Sequence, residues 1–68
     1  MLNGPRFRNI LKDLSIGNYS SLQLFLEEFA EFAEEEFSDS FIFKMQTLCR
    51  FLIDVGAYEY VAKILELS

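Results

Sequence analysis

The chain has 68 residues, 51% of them hydrophobic, including eight Phe and three Tyr, and its eleven acids and six bases leave a formal charge of −5. That length allows one small domain, residues 1–68, which buries roughly 60% of its unfolded surface and is only marginally stable. The acidic balance disfavours direct contact with a nucleic-acid backbone or an anionic membrane, and suits a basic protein partner.

Pro5, preceded by Asn3 and Gly4, opens a first helix predicted over about residues 5–15. Phe7, Ile10, Leu11 and Leu14 fall on one helical face, with Arg6, Arg8 and Lys12 off it. Gly17-Asn18 stops this helix, because both residues tolerate the left-handed backbone that ends helices. Ser20 with Gln23 forms a capping-box signature for a second helix over about 21–36. Its core face is Leu22, Phe25, Leu26, Phe29, Phe32 and Ala33.

Ser38-Asp39-Ser40 is a turn and a fresh N-cap cluster. A third helix is predicted over about 41–55, ending at Gly56. Its apolar residues, from Phe41 and Ile42 through Ile53 and Val55, cover more than half the circumference, which suits a central helix packed on several sides. A fourth helix fills 57–67, with Tyr58, Tyr60, Val61, Ile64 and Leu65 inward or at the edge. Its start lacks a good cap, so the alternative is a continuation of the third helix through a kink at Gly56. No strand-like alternation competes with these periods. The fold class is therefore all-α, a small bundle of three to four helices. The aromatic content exceeds what so small a core needs, so self-association is expected, as a dimer.

Cys49 to Leu67 resembles the hairpin of tetratricopeptide-type repeats in its Gly56-Ala57-Tyr58 and Ala62, with only half a repeat present. Solenoid repeats need several copies to bury a core, so no family membership follows.

The residues for catalysis are missing. With no His in the chain, the commonest general base, the usual metal ligand and every His-dependent triad are gone. Gly4, Gly17 and Gly56 are scattered and make no phosphate loop. Glu31 with Glu34 or Glu35 could hold a hard cation only loosely, and no metal or cofactor is expected. Cys49 lies on an apolar arc with no base nearby and reads as a small buried hydrophobe. A single Cys forms no intramolecular disulfide, which favours a reducing, cytoplasmic location. Lys12 and Asp13 interrupt the early apolar stretch, so no secretory leader is read there. The sequon Asn18-Tyr19-Ser20 is accordingly read as turn and cap chemistry. Lys44, Gln46, Arg50 and Asp54 break the apolar run from Phe41, so it is not read as a membrane span.

The second helix carries the strongest functional signal. Glu27, Glu28, Glu31, Glu34 and Glu35 occupy one arc of roughly 120° on its wheel, opposite the phenylalanine stripe. The pairs 27/31 and 31/35 are like charges one turn apart, each costing a few tenths of a kcal/mol. A helix selected only for stability would mix in Lys. The competing reading is a solvated face partly neutralised by Arg6, Arg8, Lys12, Lys44 or Arg50. Leu24 projects into the acidic arc and Phe43 onto the polar side of the third helix. An apolar anchor ringed by charge is how binding hot spots are built. Glu36 is a misfit, since its wheel position is central to the phenylalanine stripe; the helix is expected to fray or end there.

These features point to a non-enzymatic interaction module, an adaptor or inhibitor that docks a basic partner surface through its acidic helix. The partner-binding residues expected are Leu24, Glu27, Glu28, Glu31, Glu34, Glu35 and Phe43. One alternative is nucleic-acid mimicry, the strategy of small acidic phage and mobile-element inhibitors of restriction and CRISPR systems. Another is a structural subunit whose assembly is its function.

Overall fold

Asn3 starts the first helix, α1 (Gly4–Ser15): its side-chain carbonyl accepts from the Arg6 N–H at 2.9 Å, and Pro5 sits in the first turn, where no intrahelical N–H is needed. The computed structural model describes residues 2–29, 31 and 37–67. Three more helices follow: α2 (Ser20–Phe29), α3 (Asp39–Asp54) and α4 (Tyr58–Leu67). No strand occurs among the described residues. Among the described residues the all-α reading holds, and four helices fit the expected three to four.

Two glycines set the breaks. Gly17 and Gly56 both have φ of +80°, the left-handed conformation that L side chains disfavour. After α1, the Gly17 N–H donates to the Leu14 carbonyl at 3.1 Å and the Asn18 N–H to the Asp13 carbonyl at 2.8 Å. After α3, the Gly56 N–H donates to the Ile53 carbonyl at 3.1 Å and the Ala57 N–H to the Leu52 carbonyl at 2.8 Å. Both patterns are Schellman motifs, which satisfy carbonyls the helix leaves orphaned. The break at Gly56 makes α3 and α4 separate helices. Asn18, expected to share the left-handed role, instead turns its side-chain oxygen to the Ser20 N–H at 3.0 Å and caps α2. The capping box expected between Ser20 and Gln23 gives way to this contact, because Gln23 donates across the bundle to the Tyr60 hydroxyl at 3.0 Å.

A Cβ added at Gly17 or Gly56 meets nothing within 4 Å, so only backbone strain opposes a side chain there. That strain is about 1–2 kcal/mol, less a few tenths to 1 kcal/mol recovered by restricting the unfolded chain. Gly17→Ala and Gly56→Ala are each expected to cost about 1 kcal/mol. In urea the midpoint should fall with the slope unchanged. No change in midpoint would mean that these breaks are set elsewhere.

The helices contact one another as a four-cornered bundle: α1 touches α2 and α3, and α4 touches α2 and α3. The radius of gyration is 11.1 Å, close to the ~11 Å of a compact chain this long. Leu22, Phe25, Leu26 and Phe29 of α2 are buried, as their spacing predicts. So are Ile10 and Leu14 of α1, with Phe7 and Leu11 partly buried against them. Phe29, Phe37 and Phe41 stack nearly parallel, with centroids 5.1–5.6 Å apart, and close the end of the core where α2 meets α3. At the other end, Tyr19 stacks on Tyr60 at 4.8 Å and joins the start of α2 to α4.

Three expectations are corrected. The predicted second helix over 21–36 ends as α2 at Phe29, and Glu31 sits in a turn whose N–H donates to the Glu28 carbonyl at 3.0 Å. Like charges one turn apart, and anions at the negative end of the helix dipole, weaken the helix there. The expected roles of Phe32, Ala33, Glu34, Glu35 and Glu36 fall outside the described residues. Next, α3 is not central. Phe41, Met45, Leu48 and Leu52 are buried, but Ile42, Ile53 and Val55 are exposed, because in a four-cornered bundle the outer side of α3 has no neighbour. Finally, Tyr58 and Leu65, expected inward or at the edge of α4, are largely exposed for the same reason, while Tyr60 and Ile64 are buried.

Candidate functional site

The outer face of α2 is built by the burial of its inner face. With Leu22, Phe25, Leu26 and Phe29 turned into the core, Leu24 and Glu27 must face out, and they do. Leu24 is 55% exposed. It lies one turn before Glu27 and Glu28, and the exposed Glu31 follows in the turn beyond the helix. Leu24 and Glu27 are thus exposed and Glu28 half-buried on α2, with Glu31 exposed in the turn after it.

These carboxylates are not equivalent. Glu28 accepts from the Arg6 guanidinium at 2.6 Å, an ion pair that ties α2 to α1. Arg6 also stands over the face of Phe25, 5.3 Å from the ring centroid, so one side chain joins the two helices twice. Glu27 turns the other way. With Gln23, Leu26, Lys63 and Glu66 it lines a shallow, mixed-polarity depression of about 390 Å³ between α2 and α4. Lys63 is itself drawn over the Tyr60 ring at 5.1 Å. Among the described residues, Arg6–Glu28 is the one ion pair. Lys44, another cation considered as a neutralising partner, donates instead to the Leu2 carbonyl at 3.1 Å. The acidic face is thus partly neutralised at Glu28, while Glu31 has no ion-pair partner among the described residues.

Phe43 lies on α3. It is 68% exposed and borders a small depression on α3 with Gln46, Thr47 and Arg50. The two anchor candidates therefore stand on different helices, Leu24 on α2 and Phe43 on α3. Glu34 and Glu35, the remaining expected site residues, lie outside the described residues.

Sequence reasoning passed over one surface. An apolar groove of about 520 Å³ runs between α3 and α4, floored by Phe41, Met45 and Ile64 and rimmed by Ile42, Ile53 and Leu65. Among the described residues, Arg50 is the only charged one lining it. The groove's signal in the sequence is the breadth of the apolar arc on the third helix, which periodicity alone does not divide between core and open face. Cys49 lies in this groove, half-buried, and burial pushes its thiol up from the ordinary value, so it is a protonated thiol at neutral pH. That environment lowers its reactivity as a nucleophile.

Among the described residues, no three Asp, Glu, Cys or His side chains gather as a metal site. No described helix is long and apolar enough to cross a membrane. No family model matches the chain, and no curated protein or solved structure gives a significant match.

Proposed function

We propose that this chain is a small non-enzymatic interaction module, an adaptor or inhibitor, which docks a basic protein surface through the outer face of α2 and self-associates through α3 and α4. The observation that carries the docking is Leu24, an exposed apolar side chain beside Glu27, Glu28 and Glu31. Leucine on a charged surface contributes affinity where a partner covers it, while the carboxylates select the partner's charge.

Nucleic-acid mimicry relies on a long array of free carboxylates. Arg6 occupies Glu28, Lys63 stands in the same depression as Glu27, and Leu24 interrupts the charge. These observations favour the adaptor over the mimic. The structural-subunit reading draws support from the apolar groove and is kept as the self-associating half of this proposal.

Salt separates the readings. Proteins retained from a cell lysate by the immobilised chain should elute shallowly as salt rises, because apolar contact is unscreened. Retention should fall in a Leu24→Ala bait. Steep elution with salt and indifference to Leu24→Ala would replace the adaptor by the mimic.

A further inference from the structure

Helix α3 carries two seams. Phe41, Met45, Leu48 and Leu52, spaced alternately four and three apart, point into the core. One residue further round, Ile42, Gln46, Cys49 and Ile53 repeat the same spacing, and all four line the groove. Alternating three- and four-residue spacing of mainly apolar positions is the pattern of a coiled-coil seam, along which a second helix can lie.

We propose that a second copy of this chain occupies that seam, α3 against α3 in antiparallel, with Gln46 of each copy facing Cys49 of the other and Ile42 facing Ile53. The proposal rests on the self-association reading above and assigns its place and direction. Charge selects this face. The chain carries −5, yet Asp39 and Asp54 on α3 are balanced by Lys44 and Arg50, and the seam itself is uncharged. Two copies joined here keep their acidic α2 faces apart; copies joined through α2 would repel.

The flanks select the direction. Phe43 and Arg50 each follow a seam residue, so both lie along one flank, the outer one. The other flank holds Met45 and Leu52, which are buried in their own core. In an antiparallel pair like flanks meet, so Phe43 of each copy comes beside Arg50 of the other and two cation–π contacts form. A parallel pair would put Phe43 and Arg50 against the flank already filled by the core. Antiparallel helix dipoles also attract. Exposed Phe43 thereby acquires a partner, and Gln46, the polar residue in the seam, fixes register as single polar seam residues do.

Two single-cysteine chains test this. One is the natural sequence, with Cys49 alone; the other is Gln46→Cys combined with Cys49→Ser, made with a tag so that mixed pairs differ in mass. The chains are oxidised at micromolar concentration with copper phenanthroline, separately and mixed. The mixture should form covalent dimer roughly tenfold faster than either chain alone, because a disulfide needs Cβ atoms within about 4.5 Å. Crosslinking of each chain with itself, as fast as in the mixture, would overturn the antiparallel register. Sedimentation equilibrium of the natural chain separates the two levels: a dimer with no mixed crosslink overturns the seam and leaves self-association standing, and a monomer overturns both. Ile42→Asp with Ile53→Asp should yield a helical monomer; a persisting dimer would also overturn the seam.

Discussion

Phe25→Ala is expected to leave the domain largely unfolded at 37 °C. Phe25 is completely buried and stands where α1, α2 and α3 converge. Its ring is tilted against Phe29 and Phe41, with centroids 6.0 and 6.4 Å away, and carries the Arg6 guanidinium on its face. Removing a buried phenyl ring costs about 3–5 kcal/mol, the transfer loss plus the cavity left behind. A core in a chain this small supplies a net stability of about 3–5 kcal/mol. The two magnitudes are equal, so the variant sits at or beyond its midpoint. Circular dichroism should show lost helicity at 37 °C and a broad low-temperature melt. Leu24→Ala, also on α2 but exposed, should stay within about 0.5 kcal/mol of the natural chain. Cooperative melting of Phe25→Ala near the natural temperature would mean that the bundle is held by other contacts.

The contrast between Phe25 and Leu24 was legible in the sequence, because periodicity puts Phe25 on the apolar stripe and Leu24 in the acidic arc. The glycine breaks were legible too, since few residues other than glycine accept φ of +80°. What escaped depends on how helices are arranged. The breadth of the apolar arc on α3 is compatible with a central helix or with one core face beside one open face, and only the packing of the other three helices decides between them. The spacing of Gln23 from Ser20 reads as a local cap, yet the Tyr60 hydroxyl of α4, remote in sequence, accepts from its amide. Arg6 was one of five cations that could neutralise the glutamates, and the α1–α2 contact picks it. Local signals thus located the elements and their inner faces, while pairings between helices needed the structure.

Those pairings sharpen the acidic-face test, because Glu28 is committed to Arg6 while Glu31 has no ion-pair partner among the described residues and Glu27 only borders the cleft that holds Lys63. Glu27→Gln with Glu31→Gln should leave stability unchanged or raise it by a few tenths of a kcal/mol, since it removes two exposed like charges from an already acidic chain. Glu28→Gln should lower stability by up to about 1 kcal/mol, the range for a solvent-accessible ion pair. Partner binding should order the variants differently. The double variant removes the two less-committed carboxylates and should weaken binding roughly tenfold, about 1.4 kcal/mol. The single variant, whose carboxylate is already taken, should bind nearly as well as the natural chain. Stability and affinity therefore move in opposite senses between the two variants, as expected where surface charge is retained for function at a cost to the fold. Urea denaturation gives the first quantity, and titration with a protein captured by the immobilised chain gives the second. If the double variant lost stability and kept its affinity, Glu27 and Glu31 would be structural, and docking through the outer face of α2 would have to be given up.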